Sequence, residues 1–171
     1  MILKIKHLEQ PQRLAICALE DGFYAVMLWS AFLPPRANCQ VQFGVRMFDS
    51  RIETLETSIP DVLDNMKKGL KVDTAVESVL AADIGKEERQ LLALDINACG
   101  AVFSGTKNVP TVSEIIGENC VVAGNMLQSS RVTEACHKGF LNSRGSLARR
   151  LLNGLEKGAG AGGDFRGLQS A

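Results

Sequence analysis

The order in which strands and helices succeed one another limits the fold of this chain more than any other feature. Two apolar runs, Leu14 to Leu19 and Phe23 to Trp29, flank Asp21 and Gly22, a pair typical of a tight hairpin turn because glycine adopts positive φ at little cost. The stretch from Gln40 to Met47 then alternates apolar and polar residues, which predicts one half-buried strand. The chain therefore starts with closely linked strands, as antiparallel sheets do.

In two regions of the chain the apolar residues are spaced as in helices, and each region predicts a pair of helices. The first pair is indicated by Ser58, which precedes an apolar helical face, and by the capping-box residues Thr74 and Glu77. The second pair ends in a helix predicted from Ser146 to Lys157. Three further strands are predicted between the pairs: Arg89 to Ile96, Ala101 to Gly105 and Cys120 to Asn125. Hairpin-linked strands with helix pairs between them predict an α+β sandwich whose sheets are mainly antiparallel and whose helices form outer layers.

Composition excludes several classes of protein. The chain has 171 residues and no long linker, which suits one domain. Nineteen basic residues balance nineteen acidic ones and form no stripe, so we expect no nucleic-acid partner. The most apolar window, Phe23 to Leu33, is shorter than the roughly 20 residues that cross a bilayer, so we expect no membrane contact. The five cysteines include no Cys-x-x-Cys pair, which favours reduced thiols and a cytoplasmic protein.

Two motifs suggest a cofactor, and neither has the context it needs. GAGAGG, from Gly158 to Gly163, satisfies the pattern G-x-G-x-x-G, but it follows a predicted helix, whereas a dinucleotide-binding loop opens one. It is therefore predicted to be a flexible connection. The neighbours Cys136 and His137 point about 100° apart on a helix, so they do not converge on a metal ion. We expect neither a cofactor nor a metal.

Polar residues placed where strands end are the candidate site. Ser30 follows one strand, Ser104 ends another, and a third ends in Gly124 and Asn125. Near the end of the chain, a dense group supplies a carboxylate, a guanidinium, an amide and a hydroxyl: Asp164, Arg166, Gln169 and Ser170. Capping and turn formation explain each strand-end residue equally well, and an Asp164–Arg166 structural pair explains part of the second group. All eight residues remain candidates for ligand binding.

Six segments in one register resemble a known family. They are GLKVDTAVESVLAAD, EERQLLALD, GAVFSGTKN, CVVAGNML, SLARRLLNGLEKG and AGGDFRGLQSA. In order and spacing they are similar to the domain of unknown function 1028. The match is good from about residue 69 to 171 and weak before that. The resemblance implies the fold of N-terminal nucleophile (Ntn) hydrolases, a four-layer α-β-β-α sandwich.

The start of the chain departs from that family. Its members commonly begin with Met-Thr ahead of the first strand, whereas aligning the strand puts Arg13 at the Thr position, behind twelve further residues. Residues 1–13 are therefore predicted to be an N-terminal extension, with the domain at 14–171. An N-terminal nucleophile is a Thr, Ser or Cys whose own α-amine accepts its proton, and Arg13 supplies neither group. Exposing Cys17 instead would remove half of the first strand, so the catalytic residues stay unassigned.

The end of the chain departs as well, since in the family the QSA segment opens a further strand. This predicts a fold that is incomplete at its C-terminus, with an unpaired sheet edge. Our leading interpretation is an Ntn-hydrolase-like domain without amidohydrolase activity in this form, which binds a small polar ligand at a strand-end cleft. Two alternatives stay open. One is an amide hydrolase whose nucleophile is exposed by processing, and the other is an assembly protein that forms homo-oligomers through a sheet edge.

Overall fold

A computed structural model describes residues 13–20, 23–29, 39–42, 45–49, 58–108 and 111–165. The strands are β1 (Arg13–Glu20), β2 (Phe23–Trp29), β3 (Cys39–Gln42), β4 (Val45–Asp49), β5 (Gln90–Leu94), β6 (Gly100–Ser104), β7 (Ser113–Gly117) and β8 (Cys120–Asn125). The helices are α1 (Ser58–Lys67), α2 (Val72–Leu80), α3 (Arg131–Leu141) and α4 (Leu147–Gly160), with a short 3₁₀ helix at Lys86–Glu88. No helix in these ranges is long and apolar enough to cross a membrane.

The strands form two antiparallel sheets. The first has the order β2-β1-β8-β7 and the second the order β3-β4-β5-β6. The predicted Asp-Gly hairpin is confirmed, since Glu20 pairs with Phe23 across two intervening residues. The α+β class and the mainly antiparallel sheets are therefore as predicted.

The two sheets stack face to face between the two helix pairs. One apolar cluster joins β1 and β8 to α3 and α4, and a second joins β5 and β6 to α1 and α2. Between the sheets, Leu92 of β5 and Val121 of β8 are both buried. The sheets approach so closely that a Cβ on Gly100 would lie 2.6 Å from Val121 Cγ2. The layers thus run helix, sheet, sheet, helix.

The sequence-based assignment of strands contained two errors. The stretch from Gln40 to Met47 is not one strand, because β3 and β4 form an antiparallel pair in which Gln42 lies opposite Val45. Alternating apolar residues cannot distinguish one long strand from two short ones, and the Gly44 between them is typical of a turn. The second error was an omission, since β7 was not predicted at all.

The starts of the helices agree only in part with their predicted caps. The Ser146 hydroxyl accepts a hydrogen bond from the Arg149 amide at 3.4 Å, so the predicted cap of α4 is confirmed. The capping box at Thr74 is wrong. Helix α2 already begins at Val72, with Lys71 in extended conformation ahead of it, so Thr74 lies within the first turn.

The glycine-rich stretch is only partly the connector that the sequence predicted. Helix α4 continues to Gly160, so its first half is helical. Gly158 is buried, and a Cβ there would lie 2.7 Å from Leu14 Cδ2 and 3.2 Å from the Val132 carbonyl oxygen. The second half does leave the helix, through Gly162 and Gly163 at φ values of 124° and 54°. Gly158 is therefore a close-packing residue between α4, α3 and β1.

Candidate functional site

The structure brings three of the strand-end candidates together around a fourth residue. Ser104 ends β6, and Gly124 and Asn125 end β8 on the other sheet. Gln90, the first residue of β5, lies between them and bonds all three. We call the chain of side chains Asn125, Gln90, Ser104 and Glu114 the strand-end relay.

The relay crosses the interface between the two sheets. Gln90 Nε2 donates to Ser104 Oγ at 2.9 Å and to the Gly124 carbonyl oxygen at 3.2 Å. Asn125 Nδ2 donates to Gln90 Oε1 at 3.2 Å, and Ser104 Oγ donates to Glu114 Oε2 at 2.6 Å. Gln90 and Asn125 are only 2% and 1% exposed, whereas Ser104 is partly exposed and Glu114 is exposed. The relay therefore runs from a buried end to an open end.

One backbone carbonyl fixes the direction of the whole relay. The Gly124 carbonyl can only accept, so the amide nitrogen of Gln90 must face it. The Gln90 oxygen then faces Asn125 and accepts from its amide. Because Ser104 accepts from Gln90, its own proton is directed to Glu114. Each donor along the relay thus points toward the Glu114 carboxylate.

The position that the family resemblance gives to a nucleophile lies beside the relay. Arg13, the first residue of β1, pairs directly with Asn125. The last residue of β2, Trp29, pairs with Leu14, so this strand also ends here. Four other candidates lie outside the described residues: Ser30, Arg166, Gln169 and Ser170.

Asp164 is held next to the end of β8 by backbone pairing. It is 2% exposed and forms an antiparallel bridge with Leu127, two residues beyond Asn125. Its neighbours add two hydrogen bonds: the Phe165 amide donates to the Met126 carbonyl oxygen at 2.9 Å, and the Gln128 amide donates to that of Gly163 at 2.8 Å. The sequence-predicted Asp164 thus belongs to the same end of the sandwich as Asn125.

One of the three non-glycine residues with positive φ in the described ranges lies at this end. Met126 directly follows Asn125 and has a φ of 59°, which costs a non-glycine residue on the order of 1–2 kcal/mol. The bond from Phe165, and a bond from the Leu127 amide to the Thr111 carbonyl oxygen at 3.2 Å, hold the strained turn from two sides. A costly backbone conformation that surrounding hydrogen bonds hold in place is common at functional sites.

Comparison with known proteins identifies the family. A family model matches residues 30–171, and its description is a family of unknown function, DUF1028. The chain belongs to this family. The crystal structure of protein SPO2555 from Silicibacter pomeroyi, which carries the same family model, superposes with a TM-score of 0.74 at 23% identity. The match covers 87% of this chain and 68% of that one, and at this identity it shows the shared fold. No curated protein matches the chain. The family predicted from the six segments is therefore confirmed, and its model extends back to residue 30.

In this DUF1028 chain, a buried ion pair fixes the segment that carries Gln90. Arg89 Nε donates to Asp83 Oδ2 at 2.5 Å, and the two side chains are 7% and 12% exposed. Burial opposes ionisation of Asp83, but hydrogen bonds from Arg89 and from the Gly85 amide, together with the Arg89 charge, outweigh it and lower the carboxyl pKa. The Arg89 carbonyl oxygen in turn accepts from the Gly105 amide at 2.8 Å. The residues next to Gln90 and Ser104 are thereby bonded to each other.

In the described part of this DUF1028 chain, neither the side chains of Cys120 and Cys136 nor that of His137 bonds to the relay. Burial raises the pKa of Cys120 to about 11 and that of Cys136 to about 12, as expected of thiols that serve in packing. His137 lies against Gly117 of β7, where a Cβ would come within 2.1 Å of its Nε2. Within the described ranges, no three His, Cys, Asp or Glu residues cluster in a way that could hold a metal ion.

Sequence reasoning missed two members of the relay, Gln90 and Glu114. All five residues of β5 are buried, and an amide in such a strand must find hydrogen-bond partners inside the protein. Gln90 ahead of Leu91 to Leu94 was therefore a usable signal. Glu114 carried none, because β7 itself was not recognised.

Proposed function

We propose that this DUF1028 protein binds a small polar molecule at the strand-end relay and does not hydrolyse amides in this form. The observation that carries the proposal is the relay itself, a set of directed hydrogen bonds that runs between the two sheets and ends at the more exposed Ser104 and Glu114. Buried amides are costly unless they are fully bonded, and an apolar residue at position 90 would satisfy packing alone. The strained Met126 beside Asn125 supports the same location.

On this proposal the protein has the Ntn-hydrolase-like fold but not the hydrolase activity. The four layers are those that the family resemblance implies, and β1 begins where the nucleophile would stand. That position is Arg13, whose nitrogen is part of a peptide bond. Cys17 pairs with Val26 on one side and Val121 on the other, so cleavage ahead of it would remove half of a central strand. The removed part includes two core residues, Leu14 and Ile16.

A nuclear magnetic resonance screen tests ligand binding directly. Small polar compounds are added to ¹⁵N-labelled protein, and the side-chain amide signals of Gln90 and Asn125 are followed. The matched control is Asn153, whose amide bonds the Ser143 hydroxyl near the α3–α4 connection. We expect a binding compound to shift the first two signals and leave Asn153 in place. The proposal fails if every compound that binds shifts other residues only, or if none binds.

Intact mass of the purified protein tests the second half of the proposal. A chain that retains its residues through Arg13 has no free α-amine at β1, so we expect no N-terminal nucleophile. A mass corresponding to a chain that starts at a Thr, Ser or Cys, together with amide hydrolysis, would contradict this.

We also propose a cytoplasmic location, which is supported by five cysteines without a disulfide-like pattern.

A second candidate function, assembly into homo-oligomers, is favoured by one strand. β7 lies at the edge of its sheet in the described part of the chain, and its Ile116 is 57% exposed. An edge strand with an exposed isoleucine is suited to pairing with a strand of another copy. Sedimentation equilibrium at high micromolar concentration tests this. We expect a dimer that Ile116→Lys dissociates, and a wild-type monomer at this concentration would contradict it.

A further inference from the structure

The relay limits which chemical groups a ligand can present to it. Gln90 has two amide protons, and both are donated, to Ser104 and to the Gly124 carbonyl. Ser104 has one hydroxyl proton, and Glu114 receives it. The side chains at the open end therefore have no proton left to donate to a ligand, since their direction is fixed by a carbonyl that cannot donate.

The same open end retains acceptors. A hydroxyl oxygen has two lone pairs, and Gln90 uses one of those on Ser104. The Glu114 carboxylate offers about four acceptor sites, and Ser104 occupies one. Among the described residues, no Lys or Arg lies within 4 Å of Glu114. A ligand at this end consequently meets a negative charge beside a hydroxyl oxygen 2.6 Å from it.

We infer that the strand-end ligand presents a positively charged N–H group, an ammonium or a guanidinium, which donates to Glu114 and to Ser104. The inference rests on the proposed function, because it names the class of ligand for that same site. A single ammonium carries three donors and can bond both oxygens at once. Because the ligand group is cationic, both bonds are charge-assisted, which roughly doubles the strength of each.

Other classes of ligand fit this end less well. A carboxylate or phosphate would face the Glu114 charge with no side-chain donor from Ser104 or Gln90 to offset the repulsion. A neutral group that only accepts hydrogen bonds would meet acceptors alone. A neutral hydroxyl can donate one bond to the carboxylate, but it brings no positive charge of its own and has no second proton for Ser104.

Three two-carbon probes that share a hydroxyl and differ in charge test the inference. They are ethanolamine, glycolate and ethylene glycol, each titrated at constant ionic strength into ¹⁵N-labelled wild type while the Gln90 side-chain amide and the Glu114 backbone amide are followed. We expect ethanolamine to shift both signals at the lowest concentration. In Glu114→Gln its affinity should fall by about tenfold or more, since one charged hydrogen bond is lost. Glu118→Gln, an exposed carboxylate in the β7–β8 turn, is the matched control and should leave the affinity unchanged.

The results distinguish an error in the predicted class of ligand from an error in the proposed ligand site. Tighter binding of glycolate than of ethanolamine at these signals would overturn the inference and leave the ligand site standing. An unchanged ethanolamine affinity in Glu114→Gln would do the same, because the carboxylate would then not be the contact. If no probe shifts these signals although the wider screen finds a ligand there, the inference is wrong. If no compound in the wider screen shifts the Gln90 and Asn125 signals either, the proposed function itself is wrong, and the inference about the ligand class is wrong with it.

Discussion

Arg13 lies directly opposite Asn125, at the point where β1 begins and β8 ends. This pairing joins the position at which the family resemblance expects a nucleophile to the buried end of the strand-end relay. At that position the chain has an internal arginine, next to the buried polar end of the relay. Both facts support the proposal of ligand binding without amide hydrolysis.

Replacing Gln90 should show how much the relay contributes to stability. Gln90→Met keeps the size of the side chain, but it removes the acceptor for Asn125 Nδ2 and the donor to Ser104. Leaving a buried polar group unsatisfied costs about 1–3 kcal/mol, so we expect the free energy of unfolding in urea to fall by about that amount. Gln128→Met, at an exposed glutamine, should change it by less than about 0.5 kcal/mol. A neutral Gln90→Met would show that the relay does not support the fold.

Two glycines of the GAGAGG stretch should respond to alanine in opposite directions. A Cβ on Gly158 would lie 2.7 Å from Leu14 Cδ2 and 3.2 Å from the Val132 carbonyl oxygen, in a part of the core without spare volume. Gly158→Ala should therefore destabilise the protein by about 1–3 kcal/mol. Gly160 lies in the same helix with no such atom within 4 Å, so Gly160→Ala should stabilise it by about 0.5–1 kcal/mol. Thermal unfolding measures both, and equal signs would contradict the packing described for α4.

These glycines also show what sequence alone could establish. The class of fold followed from local periods and turn signals, because β1, β2 and the helices carry their own patterns. The packing of Gly158 depends on Leu14, which lies 144 positions earlier in the chain, and no local pattern records such a contact. The candidate site divides in the same way. Ser104 and Asn125 were predicted from strand ends, whereas their connection through Gln90 depends on how the two sheets stack.

The three thiols whose side chains the structure describes should differ sharply in reactivity. Cys99 is exposed, whereas Cys120 and Cys136 are buried with raised pKa values of about 11 and 12. At pH 8 a thiol of pKa 11 is only about 0.1% thiolate, which is the reactive form. Brief treatment with N-ethylmaleimide should therefore modify Cys99 and spare the other two, as located by peptide mass mapping. In urea all three should react. Labelling of Cys120 at the rate of Cys99 in the folded protein would contradict its burial.

The ion pair between Asp83 and Arg89 should make stability depend on pH at the acid end. The pKa of Asp83 is lowered below its ordinary value of 3.8, so the carboxylate stabilises the folded protein above that value, and this contribution is lost as pH falls through the folded pKa. Asp83→Asn should therefore be destabilising at pH 7, because it removes the carboxylate charge from the pair with Arg89. The difference from wild type should shrink below roughly pH 4, because Asp83 becomes protonated first in the unfolded state and, at lower pH, in the folded state as well. Urea unfolding from pH 7 to pH 3 measures it. Asp64→Asn, which breaks the exposed pair with Lys67, should change stability by less than about 1 kcal/mol throughout, and a difference for Asp83→Asn that is equally large at pH 3 would contradict the assigned role.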